Sequence, residues 1–296
     1  MYYNDDTIIY FNNKFVRAAD ATGNVYSQSL HYGYAVFEGI RAYKTNNGVK
    51  IFKAVEHFER MKFSCEAVGI PYPYETQELI DISYAVLEKN NFTDAYIRPL
   101  VTCTPNMQLT KGKSSELLIA AWEWGAYLGH QLLRLVTSSV RRPNPGAFKI
   151  EAKVSGHYVN SIMASQEAKD LGYDEALLLD NKGFIAEGPG ANIFIERNGV
   201  LYTPQRGNIL PGITRATIIE ICQELGIQVV ETQLTPEEVK GADGAFFCGT
   251  AAEVIGIASL DDVPFTFAWE KTLGAVLQKA YKDKVLERET KTALVA

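Results

Sequence analysis

The stretch FKIEAKVSGHYVNSI, residues 148–162, decides how the rest of the chain is read. Lys153 sits in it among small and apolar residues, with Gly156 and Tyr158 close behind. Such surroundings lower an amine's pKa and make it a nucleophile toward carbonyls. A solvated surface lysine is the commoner occurrence, and the segment alone leaves both readings open.

On its N-terminal side the sequence alternates strands and helices. Residues 7–11 and 14–17 flank Asn12-Asn13 as a β-hairpin, and 36–43 and 49–52 flank Asn46-Asn47-Gly48 as a second. The aromatic-rich run SLHYGYAVFEGIRAY, 29–43, reads by itself as a buried strand with an irregular entry. Residues 54–68 carry Val55, Phe58, Met61, Cys65 and Val68 at helical spacing, with Arg60 among the charges of the solvated side. A second helix is expected over 76–90. AYIRPLVTC, 95–103, and ELLIAAWEW, 116–124, are strands; Pro99 points to an edge strand or a bulge in the first. Arg98 in an apolar strand needs water, a structural partner or a ligand carboxylate, and the last two stand equal.

Beyond residue 125 the pattern becomes rich in hairpins. A strand over 133–140, a helix over 160–171 and hairpins about Asn181-Lys182-Gly183 and Asn198-Gly199 are expected. Glu187-Gly188-Pro189-Gly190-Ala191-Asn192 puts a carboxylate before a glycine-rich turn, which suits either close backbone approach to a flat ligand or a tight surface turn. Gly212, Ile213 and Thr214 precede a helix over 215–225; they form an anion site, or Thr214 caps its helix. Cys248-Gly249-Thr250-Ala251-Ala252-Glu253 follows a strand in a similar way, and 269–286 is an amphipathic helix before a frayed tail. The domains read as 1–128, small and α/β, a linker over 129–140, and 141–296, larger and carrying Lys153.

The net charge of −6 over 296 residues argues against nucleic-acid binding, since no Lys/Arg cluster occurs and Arg141-Arg142 is only a pair. Cys65, Cys103, Cys222 and Cys248 form no C-x-x-C pair and no metal set with the four histidines, so free thiols and no metal are expected. The opening MYYNDDTIIYF is acidic where a signal peptide is basic, and no run of about 18 apolar residues occurs, which suits a cytoplasmic protein without a membrane span.

An amine candidate, a carboxylate on a glycine-rich turn and two hydroxyl-bearing turns are what a phosphorylated pyridine aldehyde requires. Taken with HYGYAVFEGIR (31–41), FERM around Arg60, YIRP (96–99), WGAYLG (124–129), KVSGHYVNS (153–161), EGPGANIF (187–194), LPGITR (210–215) and GTAAE (249–253), the chain resembles the branched-chain amino acid aminotransferases of fold-type IV over almost its whole length. The resemblance implies an α+β fold, with a small N-terminal α/β domain and a larger hairpin-rich pseudo-barrel. It implies pyridoxal 5′-phosphate as cofactor, amino acids and 2-oxo acids as substrates, and a homodimer or an oligomer of dimers.

By the same resemblance Lys153 is the Schiff-base lysine, Glu187 meets the pyridine nitrogen and Tyr158 the phenolic oxygen. Arg60, Ile213, Thr214 and Thr250 hold the phosphate. Tyr96 and the amides of Thr250 and Ala251 take the substrate α-carboxylate, and Phe37, Tyr32, Trp124 and Tyr127 line the side-chain pocket, Tyr32 from the neighbouring subunit. Arg98, helped by Arg41, meets the side-chain carboxylate of glutamate. The loop 105–109 and Gly256 depart from the family pattern and bear on side-chain preference. D-amino acid or amine transaminases of the same fold, and a non-catalytic ligand-binding protein, are the alternatives.

Overall fold

The computed structural model describes residues 2–125, 128–129 and 131–288. Two compact units emerge: Met1–Gly125 with Ala152–His157, and Ala126–Glu151 with Tyr158–Ala296. The six residues around Lys153 thus pack with the first unit, although the chain on either side of them belongs to the second.

The first unit is built from β1 (Ile8–Phe11), β2 (Lys14–Arg17), α1 (Gln28–Tyr32), β3 (Val36–Phe37), β4 (Ile40–Thr45), β5 (Gly48–Ile51), α2 (Ala54–Val68), α3 (Thr76–Lys89), β6 (Ala95–Cys103) and β7 (Ser115–Trp122). Its antiparallel sheet runs β2-β1-β7-β6-β4-β5, with β3 also on β6. Asn12 and Asn13 both take positive φ in the first hairpin, as a two-residue turn of this hand requires. The entry to β3 differs from the sequence expectation: residues 28–32 form a helical turn, capped by Ser27 and ended by Gly33 at φ 65°.

β6 is interior, contrary to the edge position that Pro99 suggests in the sequence. The Pro99 carbonyl accepts from the Glu38 N–H at 2.9 Å, but proline has no N–H to return that bond. The facing strand is accordingly interrupted at Glu38-Gly39, while Phe37 still faces Leu100 and Ile40 faces Ile97, so no residue is inserted. Gly39 is obligatory in this break, because a Cβ there would lie 1.8 Å from the Tyr96 hydroxyl.

In α2 the buried face is rotated from the expected one. Phe58, Met61 and Cys65 are buried as expected, but so are His57 and Ser64, whereas Val55 is 52% exposed. The two polar residues have partners that outweigh their apolar competitors. His57 bonds the buried Glu38 carboxylate, and Ser64 Oγ accepts from the Lys153 backbone N–H at 3.0 Å.

Residues 152–157 lie on this unit as an extended segment that ends in a 3-10 turn over Ser155–His157. Val154 bridges Val36, the Lys153 carbonyl accepts from Phe37 N–H, and Ser155 and Gly156 donate to the Ala35 and Gly33 carbonyls at 2.8 and 2.9 Å. Ala152 and Val154 join the apolar core of the unit.

The second unit contains β8 (Leu133–Thr137), α4 (Tyr158–Asp170), β9 (Glu175–Leu179), β10 (Ile185–Glu187), β11 (Asn192–Arg197), β12 (Val200–Pro204), α5 (Ile213–Leu225), β13 (Val229–Thr232), α6 (Pro236–Lys240), β14 (Gly244–Gly249), β15 (Glu253–Leu260), β16 (Val263–Pro264) and α7 (Leu273–Val285). The sheet order is β10-β9-β8-β15-β14-β11-β12-β13, with β16 on β15; β8 is parallel to β9 and β15, and β12 to β13. Ile185 N–H in β10 donates to Leu234 just beyond β13, drawing the ends of this curled sheet together. Phe194 and Phe246 stack with centroids 5.1 Å apart. Cys65 and Cys103 are buried in the first unit, and Cys222 and Cys248 in the second, all four unpaired. No helix among the described residues is long and apolar enough to cross a membrane.

Gly33 and Gly156 set the closest approach of this segment: a Cβ at Gly33 would stand 2.7 Å from Gly156 Cα, and its φ is already left-handed. Gly33→Ala is therefore expected to lower stability by about 1–3 kcal/mol in urea unfolding. Gly23→Ala, where a Cβ meets nothing within 4 Å, should leave the transition in place.

Candidate active site

In the first unit the Lys153 amine lies over the Phe37 ring, 4.7 Å from its centroid. Burial, and then the nearby Arg60 charge, hold this amine down to about 8, with Arg98 acting in the same direction and Glu38 and Tyr96 against it. About a tenth of it is thus an unprotonated nucleophile at pH 7, against less than a thousandth for an ordinary lysine.

Arg60 is not a solvated helix residue. Its side chain is 10% exposed, and its Nε and one terminal nitrogen each reach the Glu38 carboxylate at 2.7 Å. Glu38 is fully buried and also accepts from His57 Nδ1 at 2.7 Å. Burial raises a carboxyl's pKa, but Arg60 and His57 overcome it and hold Glu38 well below the usual carboxylate range. Burial outweighs Glu38 at His57 and lowers its pKa, so a neutral ring donates its Nδ1 proton to an acceptor-only carboxylate.

Arg98 lies in an aromatic cage. Its guanidinium carbon is 4.7 Å from the Phe37 centroid, 5.3 Å from Tyr96 and 5.7 Å from Trp122, and it donates to the Tyr96 hydroxyl at 3.2 Å. It forms no ion pair among the described residues. Tyr96 meets Trp124 edge-on at 4.7 Å. Arg41 instead bonds Asp94 and the Trp124 carbonyl, each at 3.1 Å, and lies over Tyr43. Tyr32 is 49% exposed on α1, its hydroxyl 3.5 Å from the Met107 carbonyl. Tyr127 lies outside the described residues.

In the second unit Glu187 ends β10 and is buried. Arg142 reaches one of its oxygens at 2.7 Å together with the Leu210 N–H at 3.0 Å, and Asn192 Nδ2 reaches the other at 2.9 Å. Three donors make it a fixed acceptor. Gly212 is the N-cap of α5, so Thr214 is a buried first-turn residue and not the cap. A Cβ on Gly212 would fall 2.0 Å from Asn192 Oδ1, which ties the start of this helix to the Glu187 network. The helix leaves the first-turn amides, including Ile213 and Thr214, without intrahelical acceptors. Tyr158 begins α4, and Thr250 and Ala251 form the turn from β14 to β15. Gly256 lies under Trp269, where a Cβ would come within 2.6 Å of the indole. Among the described residues no group of three or more His, Cys, Asp or Glu could hold a metal ion.

Sequence reasoning assigns no role to Glu38, His57, Trp122 or Arg142. An acid inside the apolar run VFEGI is a usable signal for Glu38, whereas nothing local marks Arg142 as the partner of a residue 45 positions on.

The family model described as amino-transferase class IV matches residues 35–260. A branched-chain-amino-acid aminotransferase of Pseudomonas aeruginosa is 41% identical over 286 residues, 95% of this chain and 93% of that protein. The solved branched-chain aminotransferase of Thermoproteus uzoniensis, with norvaline, aligns at TM-score 0.92 and 38% identity over 96% of each chain. The solved T.th. branched-chain amino acid aminotransferase complexed with N-(5′-phosphopyridoxyl)-L-glutamate aligns at 0.90 and 37%, covering 97% of this chain and 96% of that one.

Reductive methylation by formaldehyde and cyanoborohydride, followed by peptide mass spectrometry, reads the Lys153 amine directly. Its rate should rise with pH and level off above about 8, while exposed lysines keep accelerating toward their ordinary pKa of about 10.4.

Proposed function

We propose that this chain, which belongs to the class IV amino-transferase family, moves the amino group of L-leucine, L-isoleucine and L-valine to 2-oxoglutarate, giving branched 2-oxo acids and L-glutamate. The observation that carries this reading is the Lys153 amine, held near pKa 8 beside Arg60 and Arg98.

The donor set fits pyridoxal 5′-phosphate. A nucleophilic amine suits its aldehyde, a buried carboxylate with three donors suits its ring N–H, and first-turn amides with Thr214 suit its phosphate. When bound, that cofactor supplies the carbonyl carbon that takes the amino group and the ring that accepts electrons. With that cofactor bound, Lys153 would hold its aldehyde carbon and would be the base that moves the proton at the substrate Cα. Glu187, steadied by Arg142, Asn192 and Leu210 N–H, holds the proton on the ring nitrogen. Tyr158 bonds the phenolic oxygen, and Arg60, Ile213, Thr214 and Thr250 bind phosphate.

Tyr96 and the amides of Thr250 and Ala251 take the substrate α-carboxylate. Phe37, Trp124, Tyr32 and Tyr127 form apolar walls for a branched side chain. Arg98, held among π-faces and one hydroxyl, meets the second carboxylate of glutamate, with Arg41 acting indirectly. A desolvated carboxylate would be strongly disfavoured without that cation. The loop 105–109 and Gly256 shape the preference among branched side chains.

A homodimer, or an oligomer of dimers, with Tyr32 facing the neighbour's substrate, is part of the same reading. Val159, Ile162 and Met163 form an exposed apolar stripe on α4, and Leu30 and Tyr32 are exposed on α1. Four unpaired cysteines suit a reducing cytoplasm.

An amino-donor panel with 2-oxoglutarate tests the assignment. L-leucine, L-isoleucine and L-valine should be consumed, and D-leucine, D-alanine and a simple chiral amine left; the opposite pattern would favour a D-amino acid or amine transaminase. Lys153→Ala should lose turnover. Arg98→Ala should slow the 2-oxoglutarate half-reaction by on the order of 10²-fold while affecting the leucine half much less.

A further inference from the structure

We propose that Glu38 is a positioning residue for this site, fixing the Arg60 guanidinium from within the core and setting a negative charge beside it. The inference rests on the reading of Arg60 as a phosphate ligand.

Packing does not account for Glu38. It is fully buried on the interruption that Pro99 forces between β3 and β4, in a unit whose neighbouring core residues are Val36, Ile40, Phe58 and Met61. A carboxylate there is costly, and an apolar residue of similar size is generally no worse for stability than a buried ion pair. What the carboxylate adds is geometry. It grips the Nε edge of Arg60 with two bonds of 2.7 Å, and His57 Nδ1 locks one of the same oxygens. A guanidinium held along one edge keeps its plane and direction, so the remaining edge is presented in one orientation.

It also adds charge. The ionisable groups of the first unit that act on the amine include Arg60 and His57 from α2, Tyr96 and Arg98 from β6, and Glu38 from the strand interruption. Glu38 brings a carboxylate to that set and opposes the two guanidinium charges. Without it, Arg60 and Arg98 act on the amine with less opposing charge, and its protonated form is disfavoured further.

The test uses holoenzyme with Glu38→Gln, Glu38→Asp, Arg60→Gln and the Glu38→Gln/Arg60→Gln double variant. Two quantities are read: the affinity for pyridoxal 5′-phosphate relative to pyridoxal, and the pH midpoint of the visible absorbance of the cofactor attached to Lys153. Glu38→Gln should reduce the preference for the phosphorylated form about tenfold and move the midpoint down by roughly one pH unit. Glu38→Asp, which keeps the charge on a shorter arm, should keep the midpoint and lose part of the preference. In the Arg60→Gln background, removing Glu38 should no longer change the preference.

Wild-type preference and midpoint in Glu38→Gln would overturn the proposal. So would an equal loss of preference with and without Arg60. Should Glu38→Gln fail to fold, Glu38→Asp carries the decision: a wild-type preference for the phosphorylated form in that variant would overturn the positioning role. If Arg60→Gln alone leaves the preference unchanged, the phosphate role of Arg60 falls, while the midpoint still decides the charge role of Glu38.

Discussion

The pairing of residues 152–156 with residues 33–37 is the constraint on which the first unit's chemistry depends. It is a backbone match, tight enough that a Cβ on Gly33 would collide with Gly156 Cα and one on Gly156 would press against the Gly33 carbonyl. With both backbones fixed, the Lys153 side chain leaves the segment over Phe37 and into the field of Arg60 and Arg98. The lowered amine pKa therefore follows first from burial of the amine at this place and then from the Arg60 charge.

A second consequence of strand geometry is the interruption opposite Pro99. One missing N–H opens a gap in the ladder, and that gap holds Glu38 and seats the Tyr96 hydroxyl over Gly39. Two of the groups acting on Lys153 thus owe their places to a proline with no functional atom of its own.

The legible parts of the sequence are those governed by local rules. Asparagine and glycine turns, the helix 54–68 and the strand 95–103 announce themselves by turn chemistry and periodicity. Lys153, Glu187 and Thr214 stand out together because each has an unusual local setting and all serve one chemical purpose. The failures lie where distant residues decide. Pro99 looks like an edge marker because its effect is on the opposite strand. His57 and Ser64 look like exposed helix residues because their partners, Glu38 and the Lys153 backbone, lie 19 and 89 positions away. Arg142 looks like half of an arginine pair and nothing more, because Glu187 lies in a different hairpin. In each case burial of a polar group is settled by a partner that periodicity cannot see.

The four buried cysteines divide evenly between the two units, and burial pushes the Cys65 and Cys222 thiols up to about 12. A thiolate reagent meets almost none of its reactive form in the folded chain. Each sulfur becomes reactive only when the core around it opens, so alkylation of Cys65 and of Cys222 at different rates would time the opening of each unit separately. The chain carries its own pair of unfolding clocks, one in each core, with no label introduced.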